Sequence, residues 1–214
     1  MNKNIIIIGM GENLSLGIAE KFGKEGFAIG MISRTAEKLK TLQDHLAQLG
    51  IRSEFEVADV SNSRQMLDAL AKLQSKMGVI TILQYNAVDF RTGHILSETI
   101  ETLTNGFKIS VANALMATQF LLTDLKSSKG AILLTGGMAS HYPNPEVASA
   151  SLGKAGLKSL ASQLHQVLKK DGVYVGLLTI SGWIQAMDEK YSPKRLAEEF
   201  WTMYQDKNQA EVLY

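Results

Sequence analysis

Apolar positions near the start of the chain change period twice, and each change marks an element. Ile5 to Ile8 are four consecutive isoleucines. An unbroken apolar run of this kind suits a strand covered on both faces, as in a parallel sheet. Gly9, Gly11 and Gly17 follow, and Leu16, Ala19 and Phe22 then recur at helical spacing. Phe27 to Ile32 is apolar again and leads into Ser33 and Arg34. Met1–Arg34 therefore reads as one strand–turn–helix–strand unit.

The alternation continues along the chain. Ala36 to Leu49 predicts a helix with Leu39, Leu42, Leu46 and Leu49 as its stripe, stopped by Gly50. Ser53 to Ala58 alternates polar and apolar, as a strand with one covered face does. Ser61 is placed to cap a helix running to Met77, with Met66, Leu67, Leu70 and Leu73 inward. Val79 to Tyr85 predicts a fourth strand, Thr102 to Lys126 one long helix, and Ala131 to Thr135 a fifth strand. After the loop Gly136 to Glu146 come a long helix over Ala148 to Lys170 and a sixth strand over Tyr174 to Ile180. Pro193 to Tyr204 predicts a last helix, and Val212 to Tyr214 an edge strand. The pattern predicts an α/β protein: a doubly wound, mostly parallel sheet of six or seven strands with helices on both faces. With no repeat or linker, residues 1–214 read as a single domain.

Composition narrows the chemistry. The net charge is +1 and charged residues make up 20% without long runs, so no nucleic-acid surface is expected. There is no cysteine, which excludes disulfides, thiolate nucleophiles and zinc–thiolate sites. His45, His94, His141 and His165 include no i,i+4 pair, so no metal site is expected. The isoleucine run is too short to span a bilayer and lacks the pattern of a signal peptide. The expectation is a soluble, cytoplasmic protein with no membrane partner.

The first turn carries the clearest chemistry. A strand passing through glycines into a helix N-terminus presents free backbone N–H groups and the positive end of the helix dipole. A pyrophosphate suits that place, which points to a dinucleotide cofactor. Gly9 and Gly11 permit a tight turn and close approach to phosphate. Ser15 and Leu16 stand where a shorter loop has another glycine, and the Ser15 hydroxyl could cap the helix and bond a phosphate. The competing reading is that these glycines serve only a tight connection.

Landmarks at ordered spacing extend this along nearly the whole chain: GMGENLSLG, SRT, ADV, YNA, LLTGG, a GK pair at Lys154, and ISG. Together they resemble the short-chain dehydrogenase/reductase family, a single Rossmann domain that binds NAD or NADP and moves hydride to or from carbonyls, alcohols or activated double bonds. The irregular turn is similar to the enoyl-reductase branch, with Ser15 six residues after Gly9. The resemblance implies cofactor contacts from Gly9, Gly11, Ser15, Leu16 and Gly17. It implies others from Asp59 and Val60, from Asn86 and Ala87, from Lys154, and from Gly182 after the sixth strand. Asp59 matches the acid beside the adenine, although a plain N-terminal capping role near Ser61 fits it equally. Ser33, Arg34 and Thr35 stand where the ribose 2′ position is read. They offer a guanidinium and hydroxyls but no carboxylate, which favours NADP over NAD; a solvated surface arginine is the alternative.

The catalytic half departs from the family. Its proton-transferring tyrosine belongs four residues before the lysine, where this chain has Ala150. The serine position is Gly137, and the enoyl-reductase tyrosine position, seven before the lysine, is Val147. Ser110 stands in the asparagine position, with Asn113 three residues on. His141 and Tyr142 are candidate substitutes for the missing acid, since histidine titrates near neutrality; packing beside Pro143 and Pro145 is the plainer reading. The expected function is an NADP-dependent oxidoreductase acting on a small carbonyl or enone through an atypical site, with Lys154, His141, Tyr142 and Ser110 as catalytic candidates. The alternative is a dinucleotide-binding sensor or partner subunit without turnover. The resemblance also implies a homodimer or homotetramer through the helices Thr102–Lys126 and Ala148–Lys170.

Overall fold

The computed structural model describes residues 3–214; Met1 and Asn2, which open the first unit, lie outside the described residues. Seven strands form one wholly parallel sheet in the order β3-β2-β1-β4-β5-β6-β7. They are β1 (Lys3–Ile8), β2 (Phe27–Ser33), β3 (Ser53–Val57), β4 (Ile82–Tyr85), β5 (Ala131–Thr135), β6 (Tyr174–Thr179) and β7 (Glu211–Leu213). The helices are α1 (Leu14–Lys24), α2 (Ala36–Gln48), α3 (Ser63–Met77), α4 (Ile100–Phe107), α5 (Asn113–Ser127), α6 (Ala148–Leu168) and α7 (Pro193–Asp206). This is the doubly wound Rossmann arrangement that the alternating pattern predicts.

The isoleucine run explains the two layers. Successive strand residues point to opposite faces. Ile6 and Ile8 enter the cluster under α3, α5 and α6, while Ile5 and Ile7 enter the cluster under α1, α2 and α7. All four are fully buried. The chain winds outward from β1 through β2 to β3, then crosses back to β4 on the other side of β1. The carboxyl ends of β1 and β4 therefore diverge into different loops, and ligands bind sheets of this type in the crevice between such ends.

Several boundaries differ from the sequence expectation, each for a local reason. The N-cap of α3 is Asn62, whose side chain accepts from the Gln65 N–H; Ser61 instead donates its backbone N–H to Asp59 Oδ1 at 2.8 Å. Strand β4 begins at Ile82 rather than Val79. The buried Asn4 amide occupies the carbonyls of Met77 and Val79, at 2.8 and 2.9 Å, so that segment is bonded by a side chain instead of a ladder. The expected helix Thr102–Lys126 is interrupted by a π segment, Lys108–Ala112, between α4 and α5. Helix α7 runs on to Asp206, and the edge strand begins at Glu211.

Gly17 marks where α1 meets α7. A Cβ there would lie 2.7 Å from the Pro193 carbonyl oxygen and 3.1 Å from the Pro193 ring. Alanine gains up to about 1 kcal/mol over glycine in a helix, but overpacking against backbone costs about 1–3 kcal/mol. Gly17→Ala should therefore lower the unfolding free energy by about 1–2 kcal/mol. Urea unfolding followed by circular dichroism checks this; an unchanged or higher midpoint contradicts the packing role.

Candidate active site

The carboxyl ends of β1, β2 and β4 enclose a cleft of about 640 Å³. Of the residues singled out in the sequence, Gly9, Gly11, Ser33, Arg34, Thr35, Asp59, Val60, Asn86 and Ala87 line it together. Gly9 sits at φ +86°, and a Cβ there would fall 2.6 Å from the Ala87 nitrogen, so the turn can close on the β4 loop only as glycine. Gly11 faces open space, with nothing within 4 Å of an added Cβ. Helix α1 has no side-chain cap and no acid in its first turn. The N–H groups of Gly11, Glu12 and Asn13 have no acceptor among the described residues. A concavity edged by unpaired donors at a helix N-terminus fits a pyrophosphate.

The other end of this cleft is basic. Arg34 forms no ion pair among the described residues, and Lys38 on α2 lines the same wall. Asp59 lies below the usual carboxylate range, chiefly because the Ser61 N–H donates to it. It is thus both a turn residue and a cleft residue.

Several expected contacts lie behind the cleft wall. Ser15 is buried; its hydroxyl donates to the Gly9 carbonyl at 2.9 Å and accepts from the Asn86 amide at 2.7 Å. It does not cap α1, whose N-cap is Asn13. Leu16 packs on the α1–α7 cluster, and Gly17 abuts Pro193. Gly182 makes room for Tyr191, whose ring would be 2.2 Å from an added Cβ. His141 and Tyr142 are not among the residues that line this cleft, and neither are Lys154 and Ser110. His141 Nε2 lies 3.0 Å from Glu211 Oε1 and 2.8 Å from Lys158 Nζ, tying the β5 loop to β7 and α6. Tyr142 is 74% exposed.

Lys154 donates from Nζ to the Thr135 carbonyl at 2.6 Å. Its stem keeps some exposure, yet burial of the amine lowers it to about 8. No hydroxyl stands beside it at the family positions: Ala150 is a buried methyl group, and an added Cβ at Gly137 would be 3.7 Å from the lysine stem. Ser110 is presented by the π segment. Widening a helix there frees a carbonyl, and the buried Tyr85 hydroxyl donates to that of Ile109. Burial pushes the Tyr85 phenol upward, so it stays a donor. Asn113 is structural: its amide donates to the Val60 carbonyl and its Oδ1 accepts from Ser63 at 3.0 Å.

One cluster escaped the sequence reading. Asp89 Oδ2 accepts from Ser149 Oγ at 2.7 Å and from Arg91 Nη1. Arg91 is also bidentate to Glu98, at 2.7 and 3.3 Å. The Thr102 hydroxyl and Arg91 hold Glu98 below its usual range. These residues come from a loop, α4 and α6, and no periodicity links them. The only hint is the density of charge in an otherwise apolar stretch.

The short chain dehydrogenase family model matches residues 3–195, so the chain belongs to that family. Among curated proteins it is 28% identical over 185 residues to a very-long-chain 3-oxoacyl-CoA reductase of Vanderwaltozyma polyspora, covering 81% of this chain and 53% of that one. It is 25% identical over 181 residues to hydroxysteroid dehydrogenase-like protein 1 of Gallus gallus, covering 81% and 54%. The chain thus spans about half the length of these relatives. Among solved structures, an actinorhodin polyketide ketoreductase with NADPH superposes with TM-score 0.89 at 17% identity, covering 99% of this chain and 95% of that one. A metagenomic short-chain oxidoreductase in complex with NADP gives 0.87 at 18%, with the same coverage. These likenesses establish the fold. No described helix is long and apolar enough to cross a membrane.

Lys154 yields a pH prediction. Its folded value of about 8 lies below the model-peptide value of 10.5, so the unfolded chain binds more protons between the two. Stability from this group therefore rises with pH across that window. Lys154→Met should be more stable than the unmodified protein at about pH 7, with the gain shrinking toward about pH 9.5. Denaturant titrations at several pH values check this. A gain that does not change with pH contradicts burial of the amine.

Proposed function

We propose that the protein is an NADP-dependent oxidoreductase, moving hydride to or from a small carbonyl or enone at a site without the family's tyrosine and serine. Arg34 carries this reading: a guanidinium without an ion pair, flanked by Ser33 and Thr35, on the wall of the cleft. A 2′-phosphate gives it a dianionic partner of matching geometry. The similar structures that hold NADPH and NADP agree with this choice. The reductase named among the curated relatives supports hydride transfer to a carbonyl.

When bound, the nicotinamide supplies or accepts the hydride. The chain holds the rest. The N–H groups of the first turn bind the pyrophosphate, Ser33, Arg34 and Thr35 the 2′-phosphate, and Asp59 with Val60 borders the adenine. Lys154 donates to the nicotinamide ribose. With a methyl at Ala150 and His141 held by Glu211, water would supply the proton to the substrate oxygen. A positioned acid contributes about 10²–10⁴-fold in rate, so turnover should be slow for the family. Substrate access is apolar: Trp183 and Met187, 76% and 95% exposed, follow β6 at the same edge. A homodimer or homotetramer is proposed through α4 and α6, where Leu103, Phe107 and Leu152 border an apolar groove of about 500 Å³.

Titration with NADPH and NADH tests the cofactor. Arg34→Ala should weaken NADPH about 10–100-fold, the worth of one charge-assisted bond set, and NADH less than about threefold. NADH binding more tightly than NADPH to the unmodified protein overturns the role of Arg34. A panel of aldehydes, ketones and enones then tests turnover. Tight NADPH binding with no reduction of any of them favours a binding protein without catalysis. Leu152→Glu should convert the oligomer to monomers in light scattering; a monomeric unmodified protein contradicts the interface.

A further inference from the structure

The cleft has two ends on either side of the glycine turn. Arg34 and Asp59 occupy one; Val88, Asp89, Arg91 and Ile109 occupy the other. If the adenosine lies at the first end and the pyrophosphate at the turn, the second end receives the nicotinamide half. That end is electrically unbalanced. Two carboxylates, Asp89 and Glu98, share the single guanidinium of Arg91, and the bidentate bond goes to Glu98. Asp89 receives one N–H from Arg91, and Ser149 adds a neutral hydroxyl to the same oxygen, Oδ2. Oδ1 has no hydrogen-bond partner among the described residues, and the side chain keeps 14% exposure on the cleft wall. Its own N–H donates to Ser110 Oγ at 3.2 Å, which places the carboxylate beside the residue in the family's asparagine position. Three hydrogen bonds thus fix Asp89, two of them to Oδ2, and Oδ1 is left open to a ligand.

We propose that Asp89 makes the site discriminate the redox state of its cofactor, favouring the oxidised nicotinamide. The oxidised ring carries a positive charge and the reduced ring none, while both forms share every other group. A carboxylate at that end therefore acts on the difference between them alone. Two unit charges separated by several ångströms in a partly screened cleft interact strongly enough to shift a binding ratio about tenfold. Arg91 opposes the effect and, because it is divided between two acids, only partly cancels it. This inference rests on the cofactor reading above and adds a consequence to it. Oxidised nucleotide leaves slowly after a reduction, and the equilibrium on the protein is biased toward reduction of the substrate.

The test is calorimetric titration of NADP⁺ and NADPH into the unmodified protein, Asp89→Asn and Arg91→Gln. The quantity read is the ratio of the two dissociation constants, in which the shared phosphates cancel. Asp89→Asn should reduce the preference for NADP⁺ about tenfold. Arg91→Gln should increase it, a change of opposite sign that general loosening of the loop does not produce. If Asp89→Asn does not fold, the Arg91→Gln ratio and its decline with added salt in the unmodified protein decide. Ratios within about twofold of one another across the three proteins overturn the role of Asp89 and leave the cofactor reading standing. Failure of both nucleotides to bind the unmodified protein overturns both.

Discussion

A single buried hydroxyl joins the two halves of the nucleotide fold. Ser15 donates to the Gly9 carbonyl and accepts from the Asn86 amide, and so ties the turn after β1 to the loop after β4. Backbone contact makes the joint tight: nothing larger than hydrogen fits on Gly9 beside Ala87. The Asn86 N–H, donated to the Ile8 carbonyl at 2.8 Å, carries the strand ladder to the edge of the cleft. Because Ser15 is fully engaged, the N–H groups of Gly11 to Asn13 are left free. The row of unpaired amides accompanies that joint. It exists because a side chain satisfies the glycine carbonyl from behind and no side chain satisfies the amides in front.

The same economy of side chains shapes the catalytic half. Where the family pattern has hydroxyls around the lysine, this chain has the methyl of Ala150 and the bare backbone of Gly137. Lys154 is left with a backbone carbonyl as its partner. Desolvation without a compensating charge lowers its amine. In the loop after β4, Asp89 and Arg91 are anchored by Glu98 and Ser149. The π segment supports this arrangement. Tyr85 absorbs the carbonyl that the wider turn releases, and Ser110 in the same segment accepts the Asp89 N–H.

Residues whose role follows from their own run were legible before folding. The isoleucines of β1, the leucine stripe of α2 and the glycines at the first turn each announce an element by period or by backbone freedom. The position of Arg34 was legible for a similar reason: it directly follows a strand end, and the fold puts it on the cleft wall. Ser15 was legible in position but not in direction, since a hydroxyl at a helix start can face the ligand or the strand behind it. Gly182 was visible as a glycine, yet its reason is the ring of Tyr191, nine residues later. His141 and Tyr142 illustrate the converse. Their chemistry suits proton transfer, but His141 is taken by Glu211 and Lys158 from elements far along the chain.

The amino-acid order alone determined the winding of the sheet, the glycine turn after the first strand, the place of Arg34 beyond the second, and Ala150 and Gly137 ahead of Lys154. All of these depend on a residue's type and its distance along the chain from a strand end. Tertiary structure alone decided the orientation of Ser15, the pairing of His141 with Glu211 and Lys158, and the assembly of Asp89, Arg91, Glu98 and Ser149. Those depend on which remote atoms reach a polar group first. Hydrogen bonds and ion pairs act over a few ångströms of space, and no periodicity along a chain records that distance.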